Sequence, residues 1–472
     1  MRNRVARARA LVLASLACGF APCASGAAAA ADDAGITDMR AQLAQVQAQV
    51  QRLAEENRAL RAHQERMERQ LAQLTGAGAA ASAGVSAPAL ANSSALPTPP
   101  PPSTVGASPP AAGVRLWGYG EMYYTDPTRD GNQARADLAR AVFGLGYSFD
   151  ERTEFNSEYE VEHAVASASD AGEFEVEQFY VDRRLSEAVS VRGGLYLMPF
   201  GLLNEHHEPT RFYGVQRNFV ETLIIPSTWR EGGFSLHGDT RSGFGWNVGL
   251  TTGFDVSKWD FTPASPPYTT ALGLANSHAA PLPATHQELA LANAHHLSQY
   301  AALGYYGIPA LLLGGAISTG ESPAPGAPRV TLWEAHARWT PAKFDLSGLY
   351  ARGSISNAGP LNAAHPNSPN PLPSSFYGYF LQGAYRLWEQ GAYRAAPFVR
   401  WERYDLAAGY AGTSGPVIPA ALVPLWPRSE DRVWTAGANL YVGAHLVLKG
   451  DYQWFQFNQG FRRFDLGLGV SF

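Results

Sequence analysis

The last nine residues of the chain alternate between apolar side chains and small or polar ones. Phe464, Leu466, Leu468, Val470 and Phe472 occupy every second position, and Asp, Gly and Ser lie between them. Because successive side chains of a β-strand point to opposite faces, this pattern predicts a strand with one apolar face. An apolar face on a strand of about ten residues is typical of a membrane-spanning β-barrel.

The same alternation recurs throughout residues 113–472, where turn signals divide it into sixteen predicted strands. These span 114–125, 136–149, 152–165, 173–185, 189–200, 230–239, 244–255, 296–307, 311–319, 329–340, 344–354, 375–387, 395–405, 431–442, 445–457 and 462–472. Short turns such as 150–151 alternate with long loops such as 201–229. An even strand number with this alternation predicts an all-β transmembrane barrel of 16 antiparallel strands. The alternative is a soluble β-sandwich or propeller, which apolar faces with aromatic ends, as in 333–339, disfavour.

Three further segments precede the predicted barrel. Residues 1–31 combine four arginines, a short apolar run and small residues, which predicts a secretory signal peptide containing both cysteines. Residues 36–75 carry apolar side chains spaced alternately by three and four, which predicts an α-helical coiled coil; an amphipathic helix packed on its own domain is the alternative. Residues 76–112 are rich in Pro, Ala and Gly and predict a linker. Short turns on the periplasmic side place the coiled coil in the periplasm.

Charged residues concentrate on the strand faces that the alternation directs into the barrel. Acidic residues dominate near 154–162 and 173–177, and basic residues lie on other strands. Walls of opposite sign would create a transverse field across a pore, whereas a network of internal salt bridges would only stiffen the barrel. The alternation breaks near Glu177 and Gln178, which predicts a β-bulge. The predicted pore-lining residues are Arg115, Glu121, Arg140, Glu158, Glu160, Glu162, Glu175, Arg192, Arg338, Arg386, Arg400 and Lys449.

The stretch NEHHEP, Asn204–Pro209, contains residue types that bind metals or transfer protons in enzymes. Adjacent histidines direct their rings differently, and neither an HExxH nor a GxSxG motif is present in the sequence. We therefore predict no catalytic residue, no metal ligand and no cofactor. An outer-membrane enzyme using His206 or His207 is the alternative.

Several stretches together resemble the phosphate-selective porin O and P family of outer-membrane porins. They are GYGE (118–121), EYEVEHA (158–164), GEFEVEQFYVD (172–182), PFGLLNEHHEPTRFYGVQR (199–217) and IIPSTWREGG (224–233). The resemblance is strongest over residues 114–255 and implies a trimeric diffusion channel of sixteen strands. The preceding coiled coil resembles the arrangement in dicarboxylate-type porins. From Gly113 onward the chain has 34 acidic and 26 basic residues, and only three lysines, so the sequence favours a channel for small hydrophilic solutes, anionic ones included, over a dedicated phosphate trap.

The resemblance also gives NEHHEP a position, because the third outer loop of such porins folds into the barrel and narrows it. Loop 201–229 is the third outer loop in the strand count, so the stretch is expected to be either a selectivity element or a latch that anchors the loop. Titration of its histidines predicts a conductance change between about pH 5 and 8. The predicted constriction residues are Glu205, His206, His207, Glu208, Arg211 and Arg217.

These expectations define the partners and the location of the protein. We expect a homotrimer in the outer membrane of a Gram-negative bacterium, in contact with lipid and with small-molecule or ion solutes. Phe472 is expected to be read as an assembly signal by the barrel assembly machinery. A structural tether, in which the coiled coil and linker reach peptidoglycan, is an alternative compatible with transport. No basic run indicates nucleic acid.

Overall fold

The computed structural model describes residues 113–129, 131–165, 172–263, 280–420, 423 and 426–472, so the predicted signal peptide, coiled coil and linker lie outside it. Within these residues, seventeen strands form one antiparallel sheet. They are β1 (Val114–Pro127), β2 (Arg135–Asp150), β3 (Thr153–Glu162), β4 (Phe174–Arg184), β5 (Ser190–Leu197), β6 (Arg230–Asp239), β7 (Phe244–Thr251), β8 (Ser298–Tyr305), β9 (Leu311–Glu321), β10 (Arg329–Trp339), β11 (Phe344–Ser356), β12 (Pro373–Tyr385), β13 (Trp388–Gln390), β14 (Tyr393–Tyr410), β15 (Glu430–Val442), β16 (Leu446–Phe455) and β17 (Arg463–Ser471).

The sheet is a closed barrel of sixteen strands, as the sequence predicts. Each strand pairs with its neighbours in sequence, and β1 pairs with both β2 and β17. The short strand β13 is not among the predicted strands; β12 and β13 both pair with β14, so β13 continues the line of β12. Backbone hydrogen bonds between Gly118 and Phe472, 2.8 and 3.1 Å long, complete the closure. Closure leaves no unpaired strand edge.

Helical structure among the described residues is confined to short elements outside the strands. They are helix α1 (Gly359–Ala364), a π-helical turn (Val220–Ile224) and 3-10 turns at Gly131–Gln133, Val256–Lys258 and Gln459–Phe461. In this described part of the chain, no helix has the length and apolar character needed to cross a bilayer.

The outer face of the barrel is apolar. Leu116 and Phe234 are more than 70% exposed, and Phe143, Leu303 and Leu381 also face outward. Exposed apolar side chains on this scale are unfavourable in water and suit contact with lipid chains. The alternation that predicts the strands therefore sorts the apolar residues to the outside, which is the reverse of a soluble β-sandwich.

A β-bulge in β4 confirms the break in alternation near Glu177. Glu158 of β3 lies opposite Gln178, whereas the next residue, Tyr159, lies opposite Val176. Glu177 is therefore the extra residue of the bulge. Its side chain is fully buried inside the barrel, while Val176 and Phe179 on either side of the bulge are exposed on the outer face.

The loop between β5 and β6 packs inside the barrel against the inner wall. Its aromatic residues Phe219 and Trp229 are almost fully buried, and Phe219 contacts Tyr404 of β14 and Phe455 of β16. The interior therefore contains an extensive hydrophobic core in addition to the polar lumen that the strand count predicts. This core holds the loop in place and positions the polar groups described next.

Candidate functional site: the loop docked inside the barrel

Asn204 ties the two ends of the loop together. Its side-chain amide donates hydrogen bonds to the carbonyl oxygens of Met198 (2.7 Å) and Trp229 (2.8 Å), and its oxygen accepts one from the Trp229 N–H (2.7 Å). The Met198 N–H also donates to the Trp229 carbonyl, at 2.8 Å. Asn204 is buried, so these contacts satisfy backbone groups that water does not reach. The first residue of NEHHEP is therefore structural.

His207 lies at the centre of a buried polar network. Its Nδ1 is 2.9 Å from the Asn204 carbonyl oxygen, and its Nε2 is 2.5 Å from the Tyr119 hydroxyl. The same hydroxyl is 2.5 Å from Glu158 Oε1 and 3.4 Å from Glu177 Oε2. These groups come from β1, β3, β4 and the loop. The network therefore fastens the loop to three wall strands.

Two features hold the His207 imidazole in its neutral form. Burial lowers the pKa of His207, and the nearby charges of Arg217 and Arg140 lower the pKa further. The expected titration of this stretch between about pH 5 and 8 is therefore wrong for His207. His206 lies next to the network and is half-buried.

The second half of the loop is held by carboxylates and an amide of strands β14 to β16. The backbone N–H of Val215 donates to Asp451 (2.6 Å) and that of Phe219 donates to Glu402 (2.6 Å). The N–H of Gly214 donates to the Asn439 side chain. Charge-assisted bonds to backbone N–H groups are stronger than neutral ones, so irregular backbone is stabilised inside the barrel.

The loop and the wall also bring cationic groups together beside Glu121. Arg140 donates to Glu121 at 2.8 Å, and the charges of Lys449 and Arg217 act on the same carboxylate. The Lys449 ammonium lies 3.4 Å from the centre of the Phe212 ring, a cation–π contact with the loop. Within the described part of the chain, Lys449 Nζ and Arg140 Nη1 have no hydrogen-bond partner although they are buried.

A cleft with an empty volume of about 390 Å³ lies between the loop and strands β10 to β14. Three guanidinium groups, those of Arg211, Arg338 and Arg400, line it together with Glu221 and Gln382. Arg338 is paired with Asp345, and Arg400 with Glu402. The cleft therefore combines several hydrogen-bond donors with an apolar lining that includes Leu202, Phe212 and Phe380.

Many of the predicted pore-lining residues are engaged in ion pairs on the inner wall. The pairs are Arg115 with Glu154, Arg140 with Glu121, Arg192 with Asp182, Arg230 with Glu175, Arg338 with Asp345 and Arg400 with Glu402. Glu158 and Glu160 are buried beneath the loop, and Glu162 is half-buried at the end of β3. Arg386 follows the end of β12 and donates to the Ala342 carbonyl. This pattern favours the salt-bridge alternative for much of the wall.

The predicted constriction residues do not lie in one cluster. His207 joins the network on β1, β3 and β4, and Arg217 faces Glu121 and donates to the Ser227 hydroxyl. Arg211 lies beside Glu208 and lines the cleft, whereas Glu205 is exposed. Tyr119, Glu177 and Asn204 are absent from the predicted site. The break in alternation pointed to Glu177, whereas Tyr119 and Asn204 lie in the stretches GYGE and NEHHEP, from which other residues were predicted.

Comparisons with known proteins agree with this fold. No protein-family model matches the chain. Among curated proteins, an uncharacterized protein of Aquifex aeolicus (strain VF5) is 29% identical over 360 residues, which cover 72% of this chain and 75% of that protein. Among solved structures, OmpF of Salmonella typhi in complex with daunomycin is 12% identical, with a TM-score of 0.50 over 76% of this chain and 98% of that chain. An anion-selective porin from Comamonas acidovorans is also 12% identical, with a TM-score of 0.46 over 77% of this chain and all of that one. The likeness to OmpF shows that the barrel is of the porin type.

Proposed function

We propose that this protein is a trimeric outer-membrane channel through which small hydrophilic solutes diffuse, with loop 201–229 as its constriction. The apolar outer face and the polar inner face of a closed sixteen-stranded barrel support a water-filled path across a membrane. The docked loop supports a constriction, because its backbone bonds to carboxylates of the wall and so occupies part of the lumen. The trimer rests on the resemblance of residues 114–255 to trimeric porins.

We further propose that the constriction prefers anions. The observation that carries this proposal is the group of Arg140, Arg217 and Lys449 where the loop meets Glu121. Arg140 and Lys449 each keep a donor without a hydrogen-bond partner among the residues described, and both are buried, so they would act on a passing anion through their field rather than by direct contact. The net charge of the barrel is negative, but a short constriction is governed by its local field.

The reversal potential across a planar bilayer with a KCl gradient tests both statements. The wild-type protein is expected to conduct and to prefer chloride, because the cations at the constriction attract anions. Lys449→Gln is expected to lower the chloride-to-potassium permeability ratio at least about twofold. Lys343→Gln, in the turn before β11, is the matched control and should leave the ratio unchanged. Absence of conductance would remove the channel proposal, and a wild-type reversal potential without chloride preference would remove the anion preference. Equal ratios for wild type and Lys449→Gln would remove the role of Lys449 in that preference.

A further inference from the structure

Four stretches that are distant in sequence meet at one buried point beneath the loop. GYGE contributes Tyr119, EYEVEHA contributes Glu158, GEFEVEQFYVD contributes Glu177 and NEHHEP contributes His207. The ligand-type atoms of Glu158, Glu177 and His207 all lie within 4.8 Å of one another. His207 Nε2 is 3.8 Å from an oxygen of each glutamate. All three side chains are almost completely buried.

The imidazole of His207 has the tautomer that a metal ligand requires. Nδ1 lies 2.9 Å from the Asn204 carbonyl oxygen, which accepts hydrogen bonds only, so Nδ1 carries the proton. The lone pair of Nε2 therefore points toward Tyr119, Glu158 and Glu177. Metal-bound histidines commonly donate the N–H of their other ring nitrogen to a backbone carbonyl, and the Asn204 carbonyl has that position here.

The buried acidic groups lack enough positive charge to balance them. Glu158, Glu160 and Glu177 are all less than 5% exposed. Arg140, which lies closest, directs its hydrogen bonds to Glu121 and to the His207 carbonyl. Glu177 Oε1 has no hydrogen-bond partner among the described residues. Because unpaired buried carboxylates are very unfavourable, this site must hold either protons or a cation.

We propose that Glu158, Glu177 and His207 bind a divalent transition-metal cation, for which Zn²⁺ is the best match, with the Tyr119 oxygen as fourth ligand. Two oxygens and one nitrogen suit Zn²⁺, whereas Ca²⁺ takes six to eight oxygen ligands and Mg²⁺ keeps several waters. Zinc bonds of about 2.1 Å in a tetrahedral site separate the ligands by about 3.4 Å. The two His207–glutamate spacings of 3.8 Å need to close by a few tenths of an ångström, and the glutamate–glutamate spacing, which is within 4.8 Å, by at most about 1.4 Å. Tyr119, which now lies between the three ligands, moves outward to make room.

Such a site would be structural. Four protein ligands leave no open position, and burial excludes water, so the cation would not serve catalysis. It would neutralise the buried carboxylates and would join the loop to β1, β3 and β4. The role of the cation in holding a constriction rests on the proposed channel function, but the binding of the cation does not.

Metal content and affinity of the full-length protein, purified without a polyhistidine tag and stripped with EDTA, test the proposal. Titration with Zn²⁺ is expected to show one tight site per chain. Both Glu177→Gln and His207→Gln should weaken binding at least about tenfold, because each removes one ligand. His206→Gln is the matched control, since it changes the adjacent histidine outside the cluster, and should bind as the wild type does.

Cobalt substitution gives a second readout on the unaltered protein, which matters if the variants fail to fold. Co²⁺ in the proposed site should show the intense visible absorption of a four-coordinate ion. A weak six-coordinate spectrum, or equal Zn²⁺ affinity in wild type and His207→Gln, would overturn the proposal. Conductance measured with and without EDTA separates the two proposals. Bound zinc without conductance would support the zinc site and contradict the channel. Conductance without bound zinc would support the channel and contradict the zinc site.

Discussion

At the scale of single residues, Asn204 is the side chain on which the docked loop depends most directly. Asn204→Ala would remove three hydrogen bonds. The carbonyl oxygens of Met198 and Trp229 keep the N–H groups of Phe200 and Met198, but the buried Trp229 N–H would be left without its partner. One unsatisfied buried N–H and two further lost hydrogen bonds each cost about 1 kcal/mol, so we expect the docked loop to lose about 3 kcal/mol. Hydrogen exchange of peptides from 199–229 should accelerate about 100-fold, whereas strand peptides should change little.

The control for this change is Glu205→Ala, one position further along the same stretch. Glu205 is exposed, so its removal should leave exchange in the loop as it is in the wild type. If Asn204→Ala and Glu205→Ala gave the same exchange, the loop would be held by its hydrophobic core alone. In that case, NEHHEP would have no latching role.

At the scale of elements, the pairing of β4 with β5 contains a position that only glycine tolerates. Gly194 has φ of +135°, and a Cβ there would lie 2.3 Å from the Phe179 carbonyl oxygen. We expect Gly194→Ala to lower the free energy of unfolding by at least about 2 kcal/mol. Gly304→Ala in β8 is the control, because a Cβ there meets no heavy atom within 4 Å among the described residues. Denaturant unfolding followed by tryptophan fluorescence measures both, and equal losses would contradict this account.

The strands were predictable because alternation is a local property of the sequence. The site was harder to predict because its residues are distant from one another in sequence. Alternation placed β6 at its observed bounds, 230–239, and the break in alternation located the bulge at Glu177 within one residue. Nothing in the loop is periodic, so the sequence could not distinguish His207, which is buried, from His206 beside it. The partners of His207 lie on three strands separated from it by up to 88 residues. Those contacts follow from the bulge and from loop docking, which are tertiary effects.

At the scale of the whole molecule, the barrel and the loop are separable. The strands pair with one another around the full circle, and no sheet pairing passes through the loop. The loop in turn is held by side chains of the wall, including Asn439, Asp451 and Glu402. The sheet alone therefore contacts lipid and closes the barrel, whereas the width and charge of the lumen depend on the docked loop.

This separation predicts that the loop can be shortened while the barrel still assembles. Met198 and Trp229 are hydrogen-bonded to each other, so a short Gly-Ser connection in place of residues 203–226 can span the gap. Single-channel conductance in planar bilayers should at least about double, because sixteen strands enclose an aqueous lumen once the loop is gone. The heat-resistant migration of the folded barrel on gels is the control for assembly. A folded barrel with unchanged conductance would show that loop 201–229 does not narrow the path, and the ions would then have to pass on the side of the lumen away from the docked loop.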